Sequence, residues 1–169
     1  MTSILKVDTL QDASGTGTPY IKDHVVQVKN FQTGAVNSGA ENIPYDDTIP
    51  QITEGKEYMT LAFTPKSATS YLRIEVVVNG ALSVGNDVMV CLFVGTTADA
   101  LNVSNTFVTA NWRRQFTINH YMVAGTNSEL TFRVRAGGTS GTFTFNGASG
   151  SRLYGGTFLS SITITEIGG

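Results

Sequence analysis

A single cysteine in 169 residues excludes an intrachain disulfide framework. Cys91 stands in an apolar stretch and reads as a buried small hydrophobe, not a reactive thiol. Charge is also scarce. Only 14% of residues are charged, against about 25% in an average soluble domain. A disordered chain would show the opposite balance, with more charge and fewer apolar residues. The formal net charge is -2, and the only cluster of cations is Arg113-Arg114. No basic stripe therefore points to nucleic acid or to an anionic membrane. No segment is long enough to insert in a bilayer, and Met1-Thr2-Ser3 opens without a basic region, so no signal peptide is expected. A convincing helical pattern is missing as well.

What is present is a β vocabulary. Apolar residues make up 41%, with 18 glycines and many Thr, Ser and Val. The length suits one domain with a proper core, or one domain with a short appendage. The low charge suits a β-rich protein that hides surface in an assembly. The clearest strand is Phe158 to Ile167. It places Phe158, Ser160, Ile162 and Ile164 on one face and Leu159, Ser161, Thr163 and Thr165 on the other, without internal Gly or Pro. Such a strand must pair with strands laid down much earlier, which predicts a non-local all-β fold.

Other strands follow from the same alternation. The first is expected around Val25 to Lys29, then a loop from Thr33 to Pro50. Tyr58 to Thr64 turns Met59, Leu61 and Phe63 inward, and Pro65 ends it. Tyr71 to Val84 contains Asn79-Gly80, a strong hairpin signal. Parity argues against that hairpin, because Leu72, Ile74, Val76, Val78, Leu82 and Val84 all share one face through Gly80. One long strand is predicted, turning at Gly85-Asn86. Further strands are expected at Asn105 to Trp112, Arg114 to Val123, Glu129 to Ala136 and Thr142 to Asn146, with Gly137-Gly138 as a turn. Eight to ten strands with short turns predict an all-β, jelly-roll-like antiparallel sandwich with a short extended N-terminal segment.

Asp87 to Val94 is apolar on both faces, with Val88, Val90, Leu92 and Val94 opposed to Met89, Cys91 and Phe93. A sandwich strand has one face outside, so something covers the second apolar face. A loop of the same chain would do it, but in a chain with so little charge a neighbouring subunit is preferred. Met89, Cys91 and Phe93 are accordingly expected at a subunit interface.

Catalytic and metal patterns are weak. His24 and His120 match no metal spacing, and His120 shares parity with Phe116, Ile118 and Met122, as a satisfied core or interface histidine would. Asp46-Asp47 lacks the spacing of a calcium loop and reads as solvated. Gly137 to Gly141 lacks a Lys and precedes a strand, so it is no phosphate cradle, and no Gly-x-Ser-x-Gly elbow occurs. No cofactor, no metal and no enzymatic activity are expected. Trp112-Arg113-Arg114 is the surface candidate, since an indole beside guanidinium groups could stack on a sugar or anchor a partner. The plainer alternative, and the preferred one, tucks Trp112 into the core edge under arginine stems. Arg152 and Tyr154 form a second candidate for outside contact.

Ser3 to Asp12 reads Ser-Ile-Leu-Lys-Val-Asp-Thr-Leu-Gln-Asp and precedes the turn-rich Ala13 to Pro19. Ile4, Leu5, Val7 and Leu10 are too few to make a core. The piece is either a strand on the domain's own sheet or, as preferred, an attachment segment. It resembles the opening of many phage tail-fibre and related virion proteins. Ser160 to Ile167, Ser-Ser-Ile-Thr-Ile-Thr-Glu-Ile, resembles the closing strand of the small domain such proteins carry. The resemblance covers about ten N-terminal residues and, loosely, the strands from Tyr71 onward. It implies a tumour-necrosis-factor-like trimeric jelly roll, with residues 1–23 for attachment and 24–169 as the domain. It further implies a homotrimeric short fibre, spike or knob on a phage head or tail. Such a protein is made in the host cytoplasm, joined to other virion proteins through its N-terminus, and able to meet a host glycan or protein. A capsid decoration protein and a free carbohydrate-binding module are the alternatives. A hydrolase is disfavoured for want of an acid pair or triad.

Overall fold

The computed structural model describes residues 24–168. Its first-sheet strands are β1 (Val25–Thr33), β2 (Asn37–Gly39), β4 (Tyr71–Leu82), β7 (Arg113–Val123), β9 (Phe143–Phe145) and β12 (Ser160–Ile167). The second sheet holds β3 (Lys56–Phe63), β5 (Asn86–Val94), β6 (Asn102–Val108) and β8 (Leu130–Gly138). A small hairpin of β10 (Gly147–Ala148) and β11 (Ser151–Arg152) completes the strands. All pairings between these strands are antiparallel. The main layers run β1-β12-β4-β7 and β3-β8-β5-β6, and the chain crosses repeatedly between them. This is an all-β, jelly-roll-like sandwich.

β12 sits between β1 and β4, with Ile164 opposite both Lys29 and Ile74. Its partner β1 lies more than a hundred residues upstream, as expected for a non-local all-β fold. Ile162 and Ile164 are fully buried, with Ile74, Val76, Phe132 and Val134 in one core cluster. Glu166 shares their face and is also fully buried. Its carboxylate accepts the backbone N–H of Lys66 at 2.9 Å and of Ser67 at 3.2 Å, and the Gln27 side-chain amide at 2.6 Å. Burial alone would push this carboxyl up. The Lys66 amide, Gln27, the Ser70 hydroxyl and the Ser67 amide outweigh it and hold Glu166 below the ordinary range. The carboxylate thus ties the loop after β3 to the centre of the first sheet.

β4 runs unbroken through Asn79-Gly80, in register with β7 from Tyr71↔Val123 to Ala81↔Arg113. The glycine is required by packing, since a Cβ at Gly80 would lie 2.4 Å from the Phe143 ring and 2.7 Å from the Thr144 carbonyl. β9 crosses there, pairing Phe145 with Gly80. Val84, expected on the core face, is instead exposed in the turn after β4. The Gly137-Gly138 turn is also corrected, because β8 continues through both residues. β6 begins and ends a few residues earlier than the spacing suggested, at Asn102 and Val108.

The doubly apolar strand β5 is central in its sheet, and both of its faces are buried by this chain alone. Val88, Val90 and Leu92 enter the main core. Met89, Cys91 and Phe93 form a second cluster with Ile43, against which Ile52 and Ala100 pack. The segment from 41 to 55 is held as a cover by backbone bonds from Ile43 to Gly138, Gly55 to Asn42 and Ile52 to Ala98. The subunit interface expected at Met89, Cys91 and Phe93 is therefore corrected: the chain's own loop covers them. Gly137 lets that cover approach, since a Cβ there would lie 2.4 Å from the Glu41 carbonyl.

Candidate functional site

Two surfaces stand out, at opposite ends of β4. The first is a loop end built where the chain leaves β6 and enters β7. Asn111 turns with φ 60°, its N–H donating to the Leu82 carbonyl at 2.7 Å, and Trp112 donates its N–H to Thr109 at 3.0 Å. These bonds project Trp112 outward, where it is 57% exposed. The preferred expectation of a tucked tryptophan is thereby overturned. Arg114 lies over the indole, its guanidinium carbon 5.8 Å from the ring centroid, a cation–π arrangement. Trp112 and Arg113 line a cleft of about 270 Å³.

The β10–β11 hairpin joins this end. Ser149 at its tip donates to the Asn111 side-chain oxygen at 3.0 Å, and the Gly150 N–H reaches Thr144 at 3.1 Å. The hairpin carries Arg152, and Tyr154 follows it, exposed and edge-on to Phe158 at 6.0 Å. So the two sequence candidates, Trp112-Arg113-Arg114 and Arg152 with Tyr154, belong to segments that the fold brings into contact. The non-glycine residues with positive φ among the described residues, Asn111, Asn146, Ser149 and Tyr154, all lie in these segments. Such conformations persist only where the surroundings hold them. Asn146 shows how: its side-chain amide donates to Thr33 at 2.8 Å, its oxygen accepts Ser160 at 2.6 Å, and its N–H donates to Asn79.

The charges of this end are unopposed among the described residues. Among the described residues, Arg73 pairs with Glu75, and Arg133 and Arg135 pair with Glu57. Arg113, Arg114 and Arg152 have no carboxylate partner among the described residues.

The second surface is the outer face of the first sheet. Register aligns Val25, Ile167, Tyr71 and Val123 in one row across β1, β12, β4 and β7. The next row is Val28, Thr165, Arg73 and Tyr121. Val25, Val28, Tyr71, Tyr121 and Val123 are each between 47% and 58% exposed. Side chains aligned across adjacent strands touch one another, so these form a contiguous apolar patch. No run in the sequence announces it, because it is assembled from four distant strands. Arg73 and Glu75 on the same face neutralise each other at 2.6 Å.

The remaining candidates are placed as follows. His120 is half-buried opposite Ile74, and burial holds its imidazole below the ordinary value. His24 is half-buried, and its carbonyl accepts the Gly168 N–H at 2.9 Å. Asp46 is exposed, and the Thr48 hydroxyl and amide hold its carboxyl below the usual range. It lies at a cleft of about 230 Å³ with Tyr45, Met89, Val103 and Asn105. Ile4, Leu5, Val7 and Leu10 lie outside the described residues.

No protein-family model matches the chain, and no curated protein matches it. Among solved structures it is similar to Eiger TNF from S. frugiperda, at 9% identity over 82% of this chain and 92% of that one, with a TM-score of 0.46. It is also similar to dimeric latent PorU from Porphyromonas gingivalis, at 12% identity over 94% of this chain and 14% of that one, with a TM-score of 0.43. A third likeness is to the VP2 subviral particle of infectious bursal disease virus, at 10% identity, 97% of this chain and 43% of that one, with a TM-score of 0.38. The chain thus spans most of Eiger TNF and less than half of the other two proteins.

Proposed function

We propose that this chain is a phage virion structural protein, a short homotrimeric appendage mounted through residues 1–23 and serving decoration or host adsorption. The virion role is supported by the resemblance of Ser3 to Asp12 and of Ser160 to Ile167 to the ends of such proteins. The observation that carries the assembly is the apolar patch around Tyr71 and Val123, in a chain with few charged residues. Contiguous exposed apolar area of this kind marks an association surface. Closed symmetric association would bury it in every copy. The trimer face is thus the outer side of the first sheet, not β5. The loop end with Trp112 lies ten residues along β4 from that patch, ~33 Å at ~3.3 Å per residue, and remains free to meet a partner.

The test is deletion of residues 1–23 from the chain during infection. The domain should keep its thermal transition and lose incorporation into particles, as read by antibody labelling of purified virions. Retained incorporation, or a collapse of the transition, would contradict the attachment role.

A further inference from the structure

We propose that the loop end around Trp112 binds an acidic polysaccharide, with a sugar ring stacked on the indole and its carboxylates held by Arg113 and Arg114. The inference deepens the outward-facing role proposed for this end and rests on it. Three observations converge. Trp112 is exposed although a tryptophan is costly to leave in water, and Arg114 lies over its ring. The cleft beside it is lined by Trp112 and Arg113, an aromatic face next to a cation. Arg113 and Arg114 lack carboxylate partners among the described residues, whereas Arg73, Arg133 and Arg135 have them.

The guanidinium fork matches a carboxylate in two parallel hydrogen bonds, which a spherical cation does not. The stack holds Arg114 in advance, so less freedom is lost on binding. Asn111 and Ser149 lock the two segments together, and the backbone there is held in left-handed conformations. A preorganised aromatic platform with a few separated positive charges suits a chain with one charge per sugar. A nucleic acid, with a charge at every phosphate, calls for a longer basic track, and the net charge of -2 offers none.

Trp112 is the only tryptophan, so its fluorescence reports this site alone. The full chain is titrated with a polygalacturonate oligomer, the matched neutral galactan oligomer, a sulfated galactan oligomer and a single-stranded oligonucleotide. The expected result is a saturable change with the uronate oligomer, weakened by salt, and at least tenfold weaker binding in Arg113→Gln/Arg114→Gln. Arg73→Gln should leave it unchanged. Light scattering confirms that each variant keeps the assembly of the parent. No saturable change with the uronate oligomer would overturn the proposal. So would stronger binding of the neutral or sulfated oligomer, a preference for the oligonucleotide, or uronate binding that survives the double substitution. The titration needs no particle, so a failed virion role and a failed ligand assignment are separate results.

Discussion

On the outer face of the second sheet, Met89, Cys91 and Phe93 project under a cover made by the same chain. On the outer face of the first, Val25, Val28, Tyr71, Tyr121 and Val123 project into solvent. The covered face looks the more exposed in sequence, because β5 is apolar at every position from Val88 to Val94. The open face looks ordinary, because each strand contributes only one or two apolar residues among Thr, Asn, Arg and Glu. The difference teaches that an apolar run reports burial without saying what does the burying. An exposed apolar patch can be distributed so that no single strand shows it.

The largest expected effect lies on the covered face. Phe93→Asp forfeits roughly 1.5–3 kcal/mol of burial and leaves a carboxylate without partners, costing several kcal/mol more. That approaches the whole stability of an ordinary domain, ~5–15 kcal/mol, so the protein should be insoluble. Tyr121→Asp, on the open face, should give soluble, folded chain. Soluble yield and circular dichroism make the comparison. Equal tolerance would mean that the segment from 41 to 55 is no true cover.

A smaller loss is expected at the buried carboxylate. Glu166→Gln should cost about 1.5–3 kcal/mol, the scale of hydrogen bonds to a charged group, read by denaturant unfolding at neutral pH. The folded group is held below its ordinary value. Its contribution is therefore fully present above the unfolded carboxylate's pKa and is lost as pH falls through the folded one. The parent should lose stability on acidification more steeply than the variant. Parallel acid limbs would show that Glu166 contributes no charge-dependent stability.

The mildest effect is on reactivity. Burial, with the Glu54 carboxylate adding to it and Arg135 opposing, pushes the Cys91 thiol up to about 12. At pH 8 Cys91 should label only as fast as the fold opens, whereas a cysteine introduced as Tyr121→Cys should label readily in any dissociated chain. Rapid labelling of native Cys91 would mean the cover lifts freely.

Parity within strands was enough to place Met59, Leu61, Phe63, Phe132, Val134, Phe143, Phe145, Ile162 and Ile164 in the core, because alternation is a local property of the backbone. The continuity of β4 through Gly80 was legible for the same reason. The cover over β5 was not, since it depends on where residues 41 to 55 dock. A usable signal was present in Gly137-Gly138, which mark close backbone approach and not a turn. The exposure of Trp112 was hidden because its direction is set by the Asn111 turn and the Leu82 carbonyl. Glu166 was hidden because its partners come from residues 27 and 66 to 70, far from it in sequence.

The measurement that bears most directly on the role of the open face is the mass of the full chain in solution, by light scattering coupled to size exclusion at micromolar concentration. The parent should have the mass of three chains. Tyr71→Glu/Val123→Glu should have the mass of one, with an unchanged circular dichroism spectrum, since exposed substitutions seldom disturb a fold. A monomeric parent, or a double variant that remains trimeric, would contradict the account.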